Sequence, residues 1–358
     1  MKVALALMAI LCIVNSIVSQ EVGAYMQKEK EIEQKINELM SRMTLEEKIG
    51  QMTLYTSDYD VTGPVLRRDY IRYIKSGQVG ALFNAFTVPF TRKLQQIAVE
   101  ETRLHIPLLF GYDVIHGFKT IFPIPLGEAA SWDLEAIEKS ARISAKEASA
   151  AGLHWTFAPM VDIARDPRWG RVAEGSGEDP YLGALIAQAR VRGFQGENLD
   201  SDDTILACAK HFVAYGAAEA GRDYNTVDMS ERLLREIYLP PFKAALDAGV
   251  ATFMSAFNEL DGQPCTGNER LLTQILRNEW GFKGFVVSDY TSINEMVLHG
   301  VAATDAEAGK LAIMAGLDMD MQGAVFQNHL PKMVREGVVP ERMIDEAVRR
   351  ILRLKCKL

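Results

Sequence analysis

Short apolar runs alternate along this chain with longer segments that have helical hydrophobic periodicity. The runs are apolar throughout, which is typical of parallel strands covered on both faces, and strands that alternate with helices indicate β–α–β units. The predicted strands are Val79–Phe83, Pro107–Tyr112, His154–Ala158, Ile205–Phe212, Val250–Phe257, Gly284–Ser288 and Leu317–Met319. The predicted helices are Asp133–Ala150, Pro180–Gly196, Ser230–Ala248, Glu269–Asn278, Thr304–Ala315 and Pro340–Leu354.

Seven visible strands and one weakly defined strand suit a closed α/β architecture, the (β/α)8 barrel of the TIM type. A chain of 358 residues is long enough for one such barrel, which needs about 250 residues or more. An open doubly wound sheet is the alternative. No Gly-rich phosphate loop of the GxGxxG kind follows the first predicted strand, which disfavours that alternative.

The N-terminus has the pattern of a signal peptide. Met1-Lys2 is a short positive region, the apolar run Val3–Val14 follows, and Asn15–Ser19 is small and polar, which predicts cleavage before Gln20. The run is short for a transmembrane helix, so a membrane anchor is the weaker reading. We therefore expect residues 1–19 to be a signal peptide, residues 20–43 a helical leader and residues 44–358 the barrel, in a periplasmic or secreted protein without a stable membrane anchor.

Charge and motif content exclude several classes of function. The formal net charge is −8 and no basic run of five or more residues occurs, which disfavours nucleic-acid binding. Neither an HExxH motif nor a clustered Cys/His pattern is present, so the sequence predicts no metal site and no cofactor.

Polar side chains recur where the predicted strands end, which is where barrel enzymes place reactive groups. Each alone has a structural explanation, as the cap of the next helix or as a buried ion-pair partner. Their convergence predicts a polar cavity, because such groups are costly beside apolar strands unless they are paired or hydrated. The polar residues are Asn84, Asp113, Asp162, Lys210, His211, Asn258, Asp289, Asp318 and Asp320, and the apolar Phe257 stands beside Asn258 at one strand end.

Several segments together resemble glycoside hydrolase family 3, most of all its periplasmic β-glucosidase branch. The similarity covers roughly Met43–Lys357, and the segments occur in the order typical of the family. The segment that resembles the nucleophile motif of the family is Gly281–Tyr290 (GFKGFVVSDY). The others are GYDVIHG from Gly111, GRVAEGSGEDP from Gly170, KHF from Lys210 and GRDYNTVDMS from Gly221.

The resemblance implies a role for each matching residue. Asp289 would be the nucleophile, and Asp113 would accept hydrogen bonds from hydroxyls of the terminal sugar. Arg171, Lys210 and His211 would donate hydrogen bonds to that sugar. Phe257 stands at a substrate-binding position where the family often has tyrosine. A nearby Arg and Lys would also keep Asp289 ionised at neutral pH.

These roles imply a retaining exo-β-glycosidase that removes terminal non-reducing sugars by double displacement through a glycosyl-enzyme on Asp289. The substrate would be a β-linked oligosaccharide or an aryl glycoside. The mechanism needs a second carboxyl group as acid and base, which the resemblance places in a downstream α/β domain. We expect that domain to be absent from the 358 residues, so that a separate or missing domain would supply the group. Glu219 and Asp223 are weaker candidates within the chain.

Two alternatives remain open. One is a β-xylosidase or N-acetylglucosaminidase of the same family, although the segment after Lys210-His211 has no second histidine of the kind that the glucosaminidase branch uses. The other is a truncated sugar-binding barrel with little turnover, because the acid/base glutamate would be missing.

Overall fold

The computed structural model describes residue 23, residues 26–60 and residues 69–358. Within these residues, eight parallel strands form the wall of a barrel. In chain order β1 to β8 are Thr53–Thr56, Ala81–Phe83, Leu109–Tyr112, Trp155–Thr156, Cys208–Phe212, Thr252–Ser255, Phe285–Val287 and Asp320–Met321. A short antiparallel hairpin of Glu259–Leu260 and Gln263–Pro264 follows β6 outside the wall.

The strands close into a ring. They pair in the orders β8-β1-β2-β3-β4 and β5-β6-β7. Parallel bridges join the two arcs, between Trp155 of β4 and Leu206 before β5, and between Val287 of β7 and Met319 before β8. The predicted (β/α)8 barrel is confirmed, and the open doubly wound sheet is wrong because neither arc has a free edge.

The first and last strands differ from the sequence prediction. β1 is the strand that the pattern defined weakly, because two of its four buried residues are threonines. The last strand begins at Asp320, beyond the predicted Leu317–Met319. Two buried aspartates interrupt its apolar pattern. Asp318 binds Arg277 and Arg350, and the Asp320 carboxylate accepts the N–H of Phe326 at 3.1 Å at the start of the next helix.

Helices connect the strands and cover the outside of the barrel. The chain is helical over residues 26–42. The further α-helices are Leu45–Gln51, Tyr70–Lys75, Val88–Glu100, Pro125–Ala129, Leu134–Ala150, Pro180–Gln195, Glu231–Leu233, Pro240–Asp247, Ser292–Leu298, Asp305–Ala315, Val325–Arg335 and Glu341–Lys355. Leu234–Tyr238 and Arg270–Glu279 are π-helical. Short 3-10 turns are Gly170–Glu174, Tyr215–Ala217, Glu219–Gly221 and Cys265–Gly267.

Local signals explain several helix bounds. Thr44 and Glu47 form the reciprocal capping box that their spacing predicts, with the Thr44 N–H donating to Glu47 at 2.8 Å. The predicted helix Ser230–Ala248 is divided, because Pro240 and Pro241 cannot donate a backbone hydrogen bond and a new α-helix starts there.

The helix over residues 26–42 packs on the last helix of the barrel. Ile32 and Ile36 are buried, and Arg353 donates to Glu29 at 3.1 Å. The signal peptide predicted for residues 1–19 lies outside the described residues. No helix among those described is both long and apolar enough to cross a membrane.

Large aromatic side chains fill the barrel interior. Trp155 packs edge-on against Phe157 and Phe285, with ring centroids 4.8 and 5.2 Å apart. The indole N–H of Trp155 donates to Thr252 Oγ1 at 2.9 Å, so its one polar group is satisfied. The barrel is therefore a packed core whose carboxyl-terminal mouth carries the polar residues described next.

Candidate active site

A cavity of about 430 Å³ opens at the carboxyl ends of the strands. Six of the residues named from the sequence line it together, although the chain separates them by up to 205 positions between Asn84 and Asp289 (289 − 84). The lining consists of Thr56, Phe83, Asn84, Asp113, Phe157, Arg171, Lys210, His211, Tyr224, Met254, Asp289, Tyr290, Thr291, Glu295 and Met321. The predicted polar cavity is thus present.

Asp289 stands just after β7, which ends at Val287. Its side chain is largely buried, and Oδ1 accepts the backbone N–H of Tyr290 at 2.7 Å. The end of β7 holds this carboxylate in place, and β7 lies between its parallel neighbours β6 and β8 in the barrel wall.

Lys210 and Asp113 form an ion pair across the cavity. Lys210 lies within β5 and is buried, whereas Asp113 directly follows β3 and has an exposed fraction of 46% for its side chain. The Lys210 Nζ donates to Asp113 Oδ1 at 2.8 Å. An ammonium carries three donors and a carboxylate several lone pairs, so both groups keep hydrogen-bonding capacity for a ligand.

Arg171 is held by Glu174 within a 3-10 turn after β4. Arg171 Nε donates to Glu174 Oε1 at 2.7 Å, and a terminal nitrogen donates to Oε2 at 3.0 Å. The guanidinium carbon also lies 5.6 Å from the centre of the Tyr215 ring. This forked pair fixes the orientation of Arg171 and leaves its second terminal nitrogen without a bond to Glu174.

His211 lies between two aspartates. Its Nδ1 is 2.8 Å from Asp162 Oδ2, and its backbone N–H donates to the same oxygen at 2.9 Å. On the other side, Nε2 is 3.4 Å from Asp289 Oδ2. Asp162 is buried and follows the apolar residues 157–161 that continue β4. Its contact with His211 explains why a polar side chain stands at this strand end.

Burial and charge act in opposite directions on Asp289. Burial raises the pKa of its carboxyl to about 6, against the lowering effect of Arg171 and Lys210. Burial also raises the pKa of Asp162 to about 7. Burial, with the charges of Arg171 and Lys210, lowers the pKa of His211 well below its usual value. At neutral pH, Asp289 is therefore mostly ionised and His211 is neutral.

Glu295 and Tyr224 are two of the lining residues that the sequence reasoning missed. Glu295 lies on the helix Ser292–Leu298, six positions after Asp289, and burial and the charge of Asp289 raise its pKa to about 7. Tyr224 packs on Phe257 with ring centroids 4.5 Å apart, and its φ of 64° is unusual for a residue other than glycine. The only available signals were the helix position of Glu295 and the place of Tyr224 in the GRDYNTVDMS segment.

Other predicted residues lie away from the cavity wall. Phe257 is buried behind Tyr224 and does not line the cavity. Asp223 accepts the indole N–H of Trp169 at 2.8 Å, and neither Asp223 nor Glu219 belongs to the lining. Among the residues that the structure describes, no three His, Cys, Asp or Glu side chains stand close enough together to hold a metal ion.

A known family matches nearly the whole barrel. The model described as the glycosyl hydrolase family 3 N terminal domain matches residues 44–354. The chain belongs to glycosyl hydrolase family 3. The resemblance drawn from the five segments is thereby confirmed, and it covers the strand ends that carry the cavity.

Curated relatives and solved structures support the assignment of the chain to this family. A "Periplasmic beta-glucosidase" of Salmonella typhimurium is 45% identical over 321 residues, covering 89% of this chain and 41% of the relative. A "Beta-xylosidase" of Formosa agariphila is 35% identical, covering 92% and 43%. A beta-glucosidase from Listeria innocua in complex with isofagomine superimposes with a TM-score of 0.85 at 42% identity, covering 90% of this chain and 45% of that one.

The chain thus spans less than half the length of these family 3 proteins.

Proposed function

We propose that this family 3 barrel belongs to a retaining exo-β-glycosidase of the β-glucosidase type, with Asp289 as the nucleophile. The observation that carries this proposal is the position of Asp289 in a cavity that also presents Arg171, Lys210 and Asp113. Asp289 attacks the anomeric carbon, the leaving group departs, and water then opens the glycosyl-enzyme with net retention. The relatives named as β-glucosidases support the substrate class.

Asp113, Lys210 and Arg171 bind the terminal sugar in this proposal. The donation from His211 that the resemblance implies is not part of it, because the two ring nitrogens of His211 face Asp162 and Asp289. Asp113 accepts hydrogen bonds from a pair of hydroxyls, and Lys210 donates from the ammonium protons that Asp113 does not use. Arg171 donates from the nitrogen that Glu174 leaves free. Paired donors and acceptors read the stereochemistry of a sugar, which offers both functions on each hydroxyl.

The acid/base group must be a second carboxyl about 5–5.5 Å from the nucleophile. Asp113 suits this role poorly, since its Oδ1 is already bound to the Lys210 ammonium. We propose that the acid/base comes from a further α/β domain, on the same or a separate polypeptide. The relatives that extend well beyond the matched barrel are compatible with such a domain.

A periplasmic or secreted location is proposed for the same protein. The apolar run Val3–Val14 behind a positive N-terminus supports it, as does the name of the Salmonella relative.

A β-xylosidase is the second candidate, because the Formosa relative carries that name at 35% identity. Rates on nitrophenyl β-glucoside and β-xyloside, with the same leaving group, distinguish the two. A kcat/KM for the xyloside above that for the glucoside would replace the glucosidase assignment.

The decisive experiment traps the nucleophile. The protein is incubated with a 2-deoxy-2-fluoro-β-glucoside that carries an activated leaving group, and its intact mass is measured. Such a leaving group departs without a proton donor, so the test does not depend on the acid/base. We expect a gain of one fluorosugar that Asp289→Asn abolishes.

Asp228→Asn is the matched control, because it makes the same chemical change on an exposed residue outside the cavity. It should still form the adduct. A folded wild-type protein that never forms the adduct would indicate a sugar-binding barrel without turnover, and an adduct that survives Asp289→Asn would remove Asp289 from the role.

A further inference from the structure

Two buried atoms face each other in the cavity wall without a hydrogen bond. His211 Nε2 and Asp289 Oδ2 are 3.4 Å apart, and both are inaccessible to water. Among the described residues, neither atom has a hydrogen-bond partner. A buried polar atom that lacks a partner destabilises the fold, and two acceptors that face each other repel. A proton between them removes both penalties.

Asp162 decides which atom can carry that proton. Its Oδ2 accepts the backbone N–H of His211 at 2.9 Å, and the same oxygen lies 2.8 Å from Nδ1. A carboxylate oxygen that already accepts one N–H favours a second donor, so Nδ1 carries hydrogen. In the neutral ring Nε2 is then an acceptor.

We propose that Asp162 is a positioning residue that holds His211 in the Nδ1–H tautomer, so that Nε2 accepts the proton that Asp289 Oδ2 carries when it is protonated. The proposal rests on the assignment of Asp289 as the nucleophile. Above the titration of Asp289, Nε2 offers no donor to the carboxylate, and the carboxylate keeps its electron density. An Nε2–H tautomer would instead bind Oδ2 and draw electron density from the whole carboxylate, which weakens it as a nucleophile.

The tautomer does not depend on the charge of Asp162. Its Oδ1 is also buried without a partner among the described residues, so a proton that Asp162 takes up goes to Oδ1 and leaves Oδ2 as the acceptor. The rise of the Asp162 pKa to about 7 is therefore compatible with a fixed ring.

Other charged groups surround this pair and contribute to its titration. Arg171 and Lys210 act on both His211 and Asp289, and Asp113 acts on Asp289. Glu295 faces Asp289 from the following helix, and Glu174 faces Asp162 beside Arg171. The proposal concerns the tautomer of the ring, which these groups do not determine because none of them accepts from Nδ1.

Nitrogen NMR of the full chain labelled with 15N-histidine tests this directly, without any substrate. The sequence has six histidines, and the His211 signals are those that His211→Gln removes. We expect a protonated Nδ1 and an unprotonated Nε2 at pH 8. As the pH falls, the Nε2 shift should change with a midpoint of about 6, and Asp289→Asn should abolish that change.

Two substitutions of Asp162 separate positioning from a general structural effect. In Asp162→Asn, the backbone N–H of His211 keeps the amide oxygen turned towards it, so the ring stays in the Nδ1–H form. In Asp162→Ala, the ring gains the Nε2–H form, and the rate of trapping by the fluorosugar falls ~10-fold or more at pH 8.

The readouts keep this inference distinct from the proposed function. An Nε2–H tautomer, or an imidazolium at pH 7, in the wild-type protein would overturn the role of Asp162 even if trapping succeeds. The expected tautomer without any trapping would leave Asp162 as described and would refute the nucleophile assignment. If Asp162→Ala does not fold, the wild-type and Asp162→Asn spectra still decide the tautomer.

Discussion

Lys210 lies 2.8 Å from Asp113, yet the two partners have very different environments, because the lysine is buried and the aspartate is half exposed. The lysine therefore depends on its partner more than the aspartate does, since water can solvate Asp113. The positive charge also acts on Asp289 and lowers its pKa. One side chain thus contributes to both the sugar-binding wall and the ionisation of the proposed nucleophile.

Lys210→Met should weaken trapping without a large loss of stability. The substituted side chain retains most of the apolar stem, and Asp113 can turn to water, so we expect a change in unfolding free energy of about 1 kcal/mol or less. Loss of a charged donor to the sugar is worth roughly 1.5–3 kcal/mol, which corresponds to a ~10–100-fold lower trapping rate.

The pH dependence provides a second readout for Lys210→Met. The acidic limb of the trapping rate should move to higher pH, because a cation that lowers the pKa of Asp289 is gone. Lys243→Met, outside the cavity and paired with Asp247, is the control. An unchanged rate and pH profile would contradict both roles of Lys210.

Arg171 and Glu174 should prove energetically coupled. Their forked contact is partly buried, with exposed fractions of 22% and 26%, so solvent screens it less than a surface pair. A double-mutant cycle of Arg171→Gln and Glu174→Gln, followed by urea unfolding, should give a coupling free energy of about 0.5–3 kcal/mol. The surface pair Arg232 and Glu236 should give less than ~0.5 kcal/mol in the same measurement.

Trapping distinguishes the two members of that pair. Arg171→Gln removes a proposed sugar donor, whereas Glu174→Gln keeps the arginine and only loosens it, so the first substitution should slow trapping more than the second. Equal decreases in the trapping rate would show that Arg171 affects the cavity only through its packing and not as a donor to the sugar.

The pattern of apolar runs along the sequence was sufficient to predict the barrel and five strand-end residues that line the cavity. The reasons are physical. Strand ends such as Asp289 and Asp113 stand out because a charged residue interrupts an apolar run. Glu295 could not be found that way, because it lies within a helix where glutamate is ordinary. Phe257 satisfied the same strand-end rule as Asp289, but its side chain turned into the packing behind Tyr224. The contact between Arg171 and Glu174 could not be predicted either, because it depends on a 3-10 turn that no hydrophobic periodicity indicates.

A buried ion pair away from the cavity should control the stability of the loop after β3. Arg190 and Glu128 are both buried and bind one another, and Arg190 also donates to the carbonyl of Ile115 at 3.1 Å. Glu128→Ala leaves the guanidinium buried without its counter-charge, and such losses cost about 3–5 kcal/mol.

The double variant Glu128→Leu/Arg190→Met removes both charges and should recover most of that stability. Denaturant unfolding measures the two effects. A loss below ~1 kcal/mol for Glu128→Ala would mean that water enters and solvates Arg190. Asp203→Ala, which breaks the exposed contact with Arg142, provides the comparison and should cost ~1 kcal/mol or less.

The proposed nucleophile should reduce the stability of the protein at neutral pH. The folded state raises the pKa of Asp289 from 3.8 to about 6, so between these pH values the folded chain binds a proton that the unfolded chain has released. The contribution of Asp289 to stability is then fully favourable below the unfolded pKa and is lost as the pH rises through about 6. Above that pH the ionised carboxylate remains buried at a net cost.

Asp289→Asn should therefore be more stable than the wild-type protein at pH 7.5, by an amount on the order of 2 kcal/mol. The amide can also donate to His211 Nε2 as the protonated carboxyl does, while its oxygen keeps the bond from the Tyr290 N–H. Thermal or denaturant unfolding at pH 7.5 and pH 4 measures the difference, which should shrink at the lower pH. A variant less stable than wild type at pH 7.5 would show that Arg171 and Lys210 stabilise the carboxylate more than burial penalises it.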